Sequence, residues 1–212
     1  RTGMPSAFAR SALLALETWA HRRIEAGSSP GEVLQQVLGP DGSSVAVVAV
    51  AVDSVLSHWT KLRDISWPLF AVPTILCLDS DRAARDSIGA DRRGRLWTQS
   101  ENDMALLDSL NRRASRRSQM TSALAYYTFH APLEVRAALE DALRPVVIAS
   151  VARASKDQDP VHGEAAVAKR TLRMLDRSNW SEVVLRSEDG SEGPYHQFVP
   201  EAEEQERLAE RS

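Results

Sequence analysis

The most apolar stretch of the chain, which decides the fold, is Ser43-Ser-Val-Ala-Val-Val-Ala-Val-Ala-Val-Asp-Ser-Val-Leu-Ser-His-Trp59. Its apolar residues run without a break from Val45 to Val52, and they then recur at helical spacing as far as Trp59. A helix that is apolar on all sides is buried on all sides, and Ser43 or Ser44 supplies a capping hydroxyl at its start. The stretch therefore predicts a central, buried helix.

A buried strand is the alternative interpretation, because valine favours strands. Residues 45–52 and 74–78 would then be parallel neighbouring strands, and Asp53 would lie at the carboxyl end of the first. Against this, the apolar pattern is too long for an ordinary strand, and neither Gly nor Pro interrupts it. We prefer the helix, and the strand remains the alternative on which an enzymatic function would depend.

The composition is that of a folded protein without an obvious charged partner. Hydrophobic residues make up 43% of the 212 residues, which is enough for a core. The 26 basic residues are balanced by 29 acidic ones, so charge gives no case for nucleic acid or an anionic membrane. No apolar run has the length of a membrane span. The single cysteine, Cys77, excludes an intrachain disulfide framework and most zinc sites, and it suggests a reducing compartment, so we expect a cytoplasmic protein.

Most of the remaining chain carries apolar residues three and four apart, which indicates amphipathic helices. In the first of these, Trp19 is expected on the buried face and Glu17 on the outer face. Two short helices or turns are expected within Thr60 to Ala90, and an exposed loop over Ser87 to Ser100. The predicted amphipathic helices are Ala7 to Ala26, Pro30 to Leu38, Glu101 to Arg113, Ser118 to Phe129, Leu133 to Ala154, Pro160 to Asp176 and Glu201 to Arg211.

Two features modify this helical pattern near the end of the chain. Pro145 is expected to kink or split its helix, because proline lacks the amide that the helix needs. At Trp180 the period changes to that of strands, and residues 180–200 predict a hairpin appendage with Asp189-Gly190 as its turn.

The predicted fold class is therefore mainly all-α: an irregular helical array, or α-solenoid-like bundle, with one small β-hairpin near the C-terminus. We expect residues 1–212 to form a single helical domain. The absence of Met at position 1, together with the helical pattern at the end, suggests a piece of a longer protein. Apolar residues at its two ends would then form a patch for self-association or an interdomain contact: Phe8 and Leu13 at the start, and Trp180, Val184, Tyr195 and Phe198 in the hairpin.

No motif identifies a catalytic, cofactor-binding or metal-binding residue. Gly39-Pro-Asp-Gly42 lacks the lysine of a nucleotide-binding P-loop. Asp79 and Asp81 follow an apolar run, and with Asp53 they could bind Mg²⁺ if residues 74–78 formed a strand. In a helical chain, Asp79 is instead a helix N-cap. The alternative function is thus a metal-dependent hydrolase or phosphotransfer domain that uses these three aspartates.

The histidines and arginines have ordinary interpretations in the sequence. The five histidines lie more than thirty residues apart, so no pair has a ligand spacing such as i,i+4, and each is expected to be structural or exposed. A hydrolytic triad of Ser57, His58 and Asp53 on one helix has poor geometry. Four arginines within residues 112–117 could bind phosphate, but a solvated face or a helix C-terminus is the ordinary explanation, and we prefer it.

Three phrases of the sequence resemble the helical region of large bacterial multidomain ATP-binding proteins of the STAND type. The phrases are Ala15-Leu-Glu-Thr-Trp19-Ala-His-Arg-Arg-Ile24, Ala51-Val-Asp53-Ser-Val-Leu-Ser-His58-Trp59 and Leu172-Arg-Met-Leu-Asp176-Arg-Ser-Asn-Trp180. The resemblance implies a sensor or scaffold outside the nucleotide-binding module, and it transfers no functional residue. Together with the pattern, it predicts a non-enzymatic helical interaction module whose partners are other domains of the parent protein or a separate protein.

Overall fold

The computed structural model describes residues 7–39, 44–95, 105, 108–109, 112–154, 162–186 and 192–202. They fall into two compact units, Arg1–Ala123 and Leu124–Ser212, which are described separately below. Over the described residues the chain is mainly helical and carries one two-stranded antiparallel hairpin near the C-terminus. The predicted fold class is therefore confirmed.

The first unit is built from helices joined by short connections. A 3₁₀ segment, Ala114–Arg117, precedes the helix that crosses the boundary between the units. The helices are α1 (Ala7–Glu25), α2 (Pro30–Leu38), α3 (Val45–Ser57), α4 (Trp59–Leu62), α5 (Trp67–Phe70), α6 (Pro73–Arg95) and the boundary helix α7 (Met120–Phe129).

The central stretch is helical, as predicted. The Ser44 hydroxyl accepts a hydrogen bond from the Val47 amide at 3.4 Å, and the helix ends at His58, whose amide donates to the Ser54 carbonyl at 3.0 Å. Residues 74–78 also lie in a helix, α6, so the strand alternative is wrong for both segments.

Burial along α3 is uneven. Every residue from Val50 to Leu56 is buried, but Val45 is 61% exposed and Val48 only half-buried. The expectation of burial on all sides is therefore wrong for the first turns. Valine and alanine are short, so these turns present a shallow apolar surface that neighbouring helices cover only in part.

The ends of the first helices follow from local chemistry. Gly27 takes a positive φ of 89° after α1, and the Ser28 amide bonds back to the Arg23 carbonyl at 3.0 Å, which is a glycine-based helix cap. Pro30 occupies the first turn of α2, where its missing amide has no cost. The core of the unit includes Ile24, Val33, Val55, Leu62, Phe70 and Leu76.

Helix α6 corrects the expected loop over Ser87 to Ser100. The helix continues to Arg95, so the loop is wrong for residues 87–95, while residues 96–100 lie outside the described chain. Alanine and arginine in this segment favour helix strongly enough to outweigh Gly89 and Gly94. Other predictions fall wholly or mostly outside the described residues: the helices Glu101 to Arg113 and Glu201 to Arg211 and the turn Asp189-Gly190.

The second unit pairs two helices, α8 (Leu133–Ala154) and α9 (His162–Leu175), with the hairpin β1 (Trp180–Arg186) and β2 (Glu192–Phe198). Helix α8 is not split at Pro145, which lies inside it. In the hairpin, Trp180 pairs with Phe198. The core of this unit includes Leu124, Tyr127, Leu139, Leu143, Ala168 and Leu175.

The hairpin rests on helices of its own unit. The Trp180 indole Nε1 donates a 2.7 Å hydrogen bond to the Met174 carbonyl, and its ring packs edge-on against Phe129 at 5.4 Å between centroids. His196 stacks on the same Phe129 at 4.2 Å. Among the described residues, no helix combines the length and the apolar character needed to cross a membrane.

Candidate functional site

A buried group of ionisable side chains lies between α1, α3 and the 3₁₀ segment; we call Glu17, His21, Asp53, His58 and Arg116 the polar cluster. Glu17 and His21 both point into the core from α1, and His21 has no solvent exposure. Asp53 is buried in α3, and His58 is the residue at which α3 ends and α4 begins.

The inward face of α1 differs from the predicted one. Glu17 is buried and Trp19 is exposed, the reverse of the expectation. The buried positions are Glu17, Ala20, His21 and Ile24, which repeat three and four apart and so form one helical stripe. The apolar Ala20 and Ile24 on this stripe are the signal in the sequence that could have revealed the burial of Glu17 and His21.

Short contacts join the members of the polar cluster. His21 Nε2 lies 2.9 Å from Asp53 Oδ2, and His21 Nδ1 lies 2.9 Å from His58 Nε2. Arg116 donates to Glu17 Oε1 at 3.0 Å, and its Nε lies 3.7 Å from Asp53 Oδ1. The imidazole of His21 therefore bridges an acidic side chain and a second imidazole.

The two carboxyl groups of the polar cluster respond differently to their surroundings. Burial and the neighbouring charge of Asp53 raise the pKa of Glu17, and Arg116 offsets this only in part. Burial also raises the pKa of Asp53, but the hydrogen bond from His21 and the charge of Arg116 outweigh it, so this pKa lies below its ordinary value. Asp53 is thus the firmly ionised member of the pair, and Glu17 is the one that gains a proton more readily.

The surroundings of His58 disfavour its charged form. Burial, with the charges of His21 and Arg113, lowers the pKa of His58 to about 4, so His58 is neutral near pH 7. A neutral His58 either donates a hydrogen bond from its Nε2–H to Nδ1 of His21 or accepts one at Nε2 from an Nδ1–H of His21. The contact with Asp53 requires the proton on His21 Nε2 in both cases.

The polar cluster also offers metal ligands. One donor atom each from Glu17, His21 and Asp53 lies within 4.8 Å of the other two, and all three residues are buried. It is the one such group that the described part of the chain contains. The sequence interpretation missed it because His21 and Asp53 lie in different helices and are separated by 32 positions in the sequence.

The aspartates of the enzymatic alternative do not meet. Asp79 is buried, forms an ion pair with Arg82 at 2.8 Å, and accepts a 2.6 Å hydrogen bond from the Met120 amide. It therefore caps α7, and not the beginning of its own helix as the sequence suggested. Asp81 is exposed, and Asp53 belongs to the polar cluster. The condition for a shared Mg²⁺ site, two parallel strands, is not met.

Two of the four arginines have specific structural partners. Arg116 enters the polar cluster, and Arg113 donates to Glu25 of α1 at 2.9 Å. Arg112 and Arg117 are exposed. The solvated-face interpretation is therefore right for two of these residues and wrong for the two that bind acidic groups of α1.

A second feature of this unit is an apolar groove between α3 and α6. It has a volume of about 340 Å³, and its lining is almost entirely apolar. We define the groove by the residues that line it, which are Val45, Val48, Ala49, Val52, Val72, Thr74, Ile75, Leu78, Asp79 and Arg82. Val45, Val72 and Leu78 are substantially exposed, so the groove is an open surface feature.

The chain matches no protein-family model, and no curated protein matches it at a significant level. The resemblance to STAND-type helical regions therefore remains a proposal. The groove and the polar cluster are the two features of the first unit that bear on its function.

Proposed function

We propose that the first unit is a non-enzymatic interaction module that binds an apolar helix of a protein partner in the groove between α3 and α6. The observation that carries this proposal is the groove itself, which leaves aliphatic side chains of both helices uncovered. Uncovered apolar surface of this kind marks interaction sites in soluble proteins.

The shape and chemistry of the groove favour a helix as the occupant. The side of α3 that lines the groove repeats at Val45, Val48, Ala49 and Val52, spacings of three and four residues that form a ridge. The opposite wall comes from Ile75 and Leu78 of α6, with Val72 just before it. A furrow between two such helices accommodates the apolar face of a third.

The charges at the rim do not contradict an apolar occupant. Asp79 and Arg82 are paired with each other at 2.8 Å, and Arg82 also donates to the carbonyls of Ser115 and Ser118 at 2.9 and 2.8 Å. Their hydrogen-bonding capacity is therefore directed into the fold. Specificity for the partner would come from the fit of branched side chains along the groove.

The polar cluster does not by itself support an enzymatic function. A hydrolytic triad would need a nucleophile within hydrogen-bond reach of the base. His58 contacts His21, and the Ser57 hydroxyl, though buried, has no hydrogen-bond partner. This is why the interaction module is the proposed function of the unit.

The STAND resemblance belongs to the same proposal. It would make the chain a sensor or scaffold region, in the cytosol, of a larger ATP-binding protein. The chain itself carries no P-loop motif. Calorimetry with Mg²⁺ and ATP on this chain should therefore show no binding, and saturable micromolar binding would refute that assignment without affecting the groove.

The groove is tested by selecting amphipathic helical peptides from a display library and measuring their affinity by fluorescence anisotropy. A selected peptide should bind the wild type and lose at least about tenfold in affinity to Leu78→Glu, which places a charge in the groove. The matched control is Ile148→Glu, since Ile148 is also a large apolar residue with an exposed side chain, and it lies in the second unit.

The outcomes separate the possible occupants. Peptides that bind both variants like the wild type would show that another surface is used and would overturn the proposal. Enrichment of extended, non-helical peptides would overturn the helix as the occupant. Binding of small apolar dyes without any selected helix would assign the groove to a small ligand instead.

A further inference from the structure

We propose that Glu17, His21 and Asp53 form a binding site for a divalent transition-metal ion, with Zn²⁺ as the representative ion. The three donors come from two helices and are buried together. This site lies within the polar cluster and not in the groove, so it is independent of the proposed function.

The donor geometry is close to what a metal requires. The three donor atoms lie within 4.8 Å of one another, and His21 Nε2 and Asp53 Oδ2 are 2.9 Å apart. Zinc lies about 2.0 to 2.2 Å from nitrogen and oxygen ligands, which puts tetrahedral ligands about 3.5 Å apart. An adjustment of roughly half an ångström would bring His21 and Asp53 to that separation, and the Glu17 side chain would have to move towards them by up to about 1 Å. A water would complete a four-coordinate site.

The second observation is an unsatisfied carboxylate oxygen. Asp53 has a side chain that is only 5% exposed, and its Oδ1 has no hydrogen-bond partner among the residues that the structure describes. The nearest charged group is Arg116 Nε, at an ion-pair distance of 3.7 Å. The Ser115 hydroxyl lies beside the same carboxylate without forming a well-aligned hydrogen bond. Buried carboxylate oxygens are normally satisfied, so the Asp53 carboxylate keeps an unmet accepting capacity that a cation bound to this carboxylate would use.

His58 provides the outer contact that a ligating histidine needs. A histidine bound to a metal usually donates its other ring N–H to a neighbouring acceptor, which fixes the tautomer. Here His21 Nδ1 faces His58 Nε2 at 2.9 Å. With Nε2 of His21 on the metal, the ring carries its one proton on Nδ1, and this N–H donates a hydrogen bond to Nε2 of His58.

Arg116 is compatible with a bound cation because it uses only part of the available negative charge. Two carboxylates face one guanidinium in the polar cluster, so one negative charge remains when both imidazoles are neutral. Arg116 contacts Oε1 of Glu17 at 3.0 Å, and Oε2 is the oxygen left to coordinate. Ligating carboxylates are commonly held by such a second hydrogen bond.

The mixed donor set selects the class of metal. Imidazole favours Zn²⁺ and its transition-metal neighbours, whereas Mg²⁺ and Ca²⁺ prefer oxygen ligands alone. Zn²⁺ is therefore expected to bind in preference to Mg²⁺.

The test is calorimetric titration of the EDTA-treated full chain with Zn²⁺, and separately with Mg²⁺. We expect one Zn²⁺ per chain and a rise in melting temperature, with no response to Mg²⁺. Asp53→Asn and His21→Gln should abolish both effects, and His58→Asn should weaken binding by about 10- to 100-fold. His130→Asn is the matched control, because His130 is exposed and outside the polar cluster.

Each other result would overturn the proposal. Binding that survives Asp53→Asn and His21→Gln, or that depends on His130, is surface binding. No binding to the wild type refutes the site directly. If the ligand variants fail to fold by circular dichroism, the visible spectrum of the Co²⁺-loaded wild type decides, since ordinary hexa-aquo absorption would rule out coordination by His21.

Discussion

Asp79, within α6, accepts a 2.6 Å hydrogen bond from the main-chain amide of Met120, 41 residues later in the chain. Met120 is the first residue of α7, so its amide has no partner inside that helix. A carboxylate at this position also interacts favourably with the helix dipole. One side chain of α6 thus fixes where α7 begins.

Arg82 holds this arrangement together, and its removal should be costly. It pairs with the buried Asp79 and binds the carbonyls of Ser115 and Ser118. Arg82→Leu would leave the carboxylate of Asp79 without its counter-charge, so we expect a loss of about 3 kcal/mol in unfolding free energy. Urea denaturation of the wild type and of Arg82→Leu measures this difference in unfolding free energy. Arg117→Leu, an exposed neighbour, should change little, and equal losses would contradict a specific role for Arg82.

An introduced charge should lower the stability of the unit strongly at the buried end of α3 and very little at the exposed end. Val55 has no solvent exposure, so Val55→Asp buries an unpaired carboxylate at a cost of several kcal/mol, which is comparable to the whole stability of a small unit. Val45→Asp places the same charge on an exposed residue in the first turn of the helix, where it should be tolerated. Thermal melts followed by circular dichroism compare them, and a similar fall in melting temperature would refute the uneven burial of α3.

The hairpin is expected to contribute little to self-association. In the strand register, Trp180, Val184 and Phe198 lie on one face and Tyr195 on the other, because successive side chains alternate. The four residues therefore do not form the single patch that the sequence suggested. The double variant Val184→Ser, Tyr195→Ser should leave the mass measured by light scattering unchanged. A dimeric wild type that becomes monomeric in this variant would restore the hairpin as an interface.

Asp176 makes a pH-dependent contribution to the second unit. Its Oδ1 accepts hydrogen bonds from the amide and the hydroxyl of Ser178 at 2.9 and 2.8 Å. The hydrogen bond from the amide is the main cause of the lowered pKa of Asp176. A lowered carboxyl pKa stabilises the fold above the unfolded value of 3.8, and the benefit disappears as pH falls through the folded value. Asp176→Ala should therefore destabilise the unit at neutral pH by less than about 1 kcal/mol, because solvent screens this exposed carboxylate, and the loss should be smaller near pH 3.

Chemical denaturation at the two pH values tests this prediction. Asp176→Asn is the control, because asparagine retains the capping oxygen without the charge. A difference between wild type and Asp176→Ala that is as large in acid as at neutral pH would show that the carboxylate charge is not involved.

Local sequence signals predicted the helices well but not the site. Serine capping at Ser44, glycine termination at Gly27 and the apolar run of α3 act within a few residues, so they are visible in the sequence. The contacts of His21 with Asp53 and His58 depend on how α1 packs on α3, which involves residues 32 and 37 positions apart. The polarity of Glu17 alone predicts an outward position on α1. Its burial depends on an ion pair with Arg116, which lies 99 positions away and is not visible in the local sequence.

His58 is the single residue between α3 and α4, and it caps the end of the first helix and the start of the second. One inserted residue at this joint would rotate α4 by about 100° relative to α3, since a helix has 3.6 residues per turn. Leu62 would turn away from the core, and the His58 ring would move away from His21. The turn at the exposed Gly27, where an added Cβ would meet no atom within 4 Å, has no such constraint. Among homologues of this protein, insertions and deletions should therefore be frequent after α1 and absent at position 58.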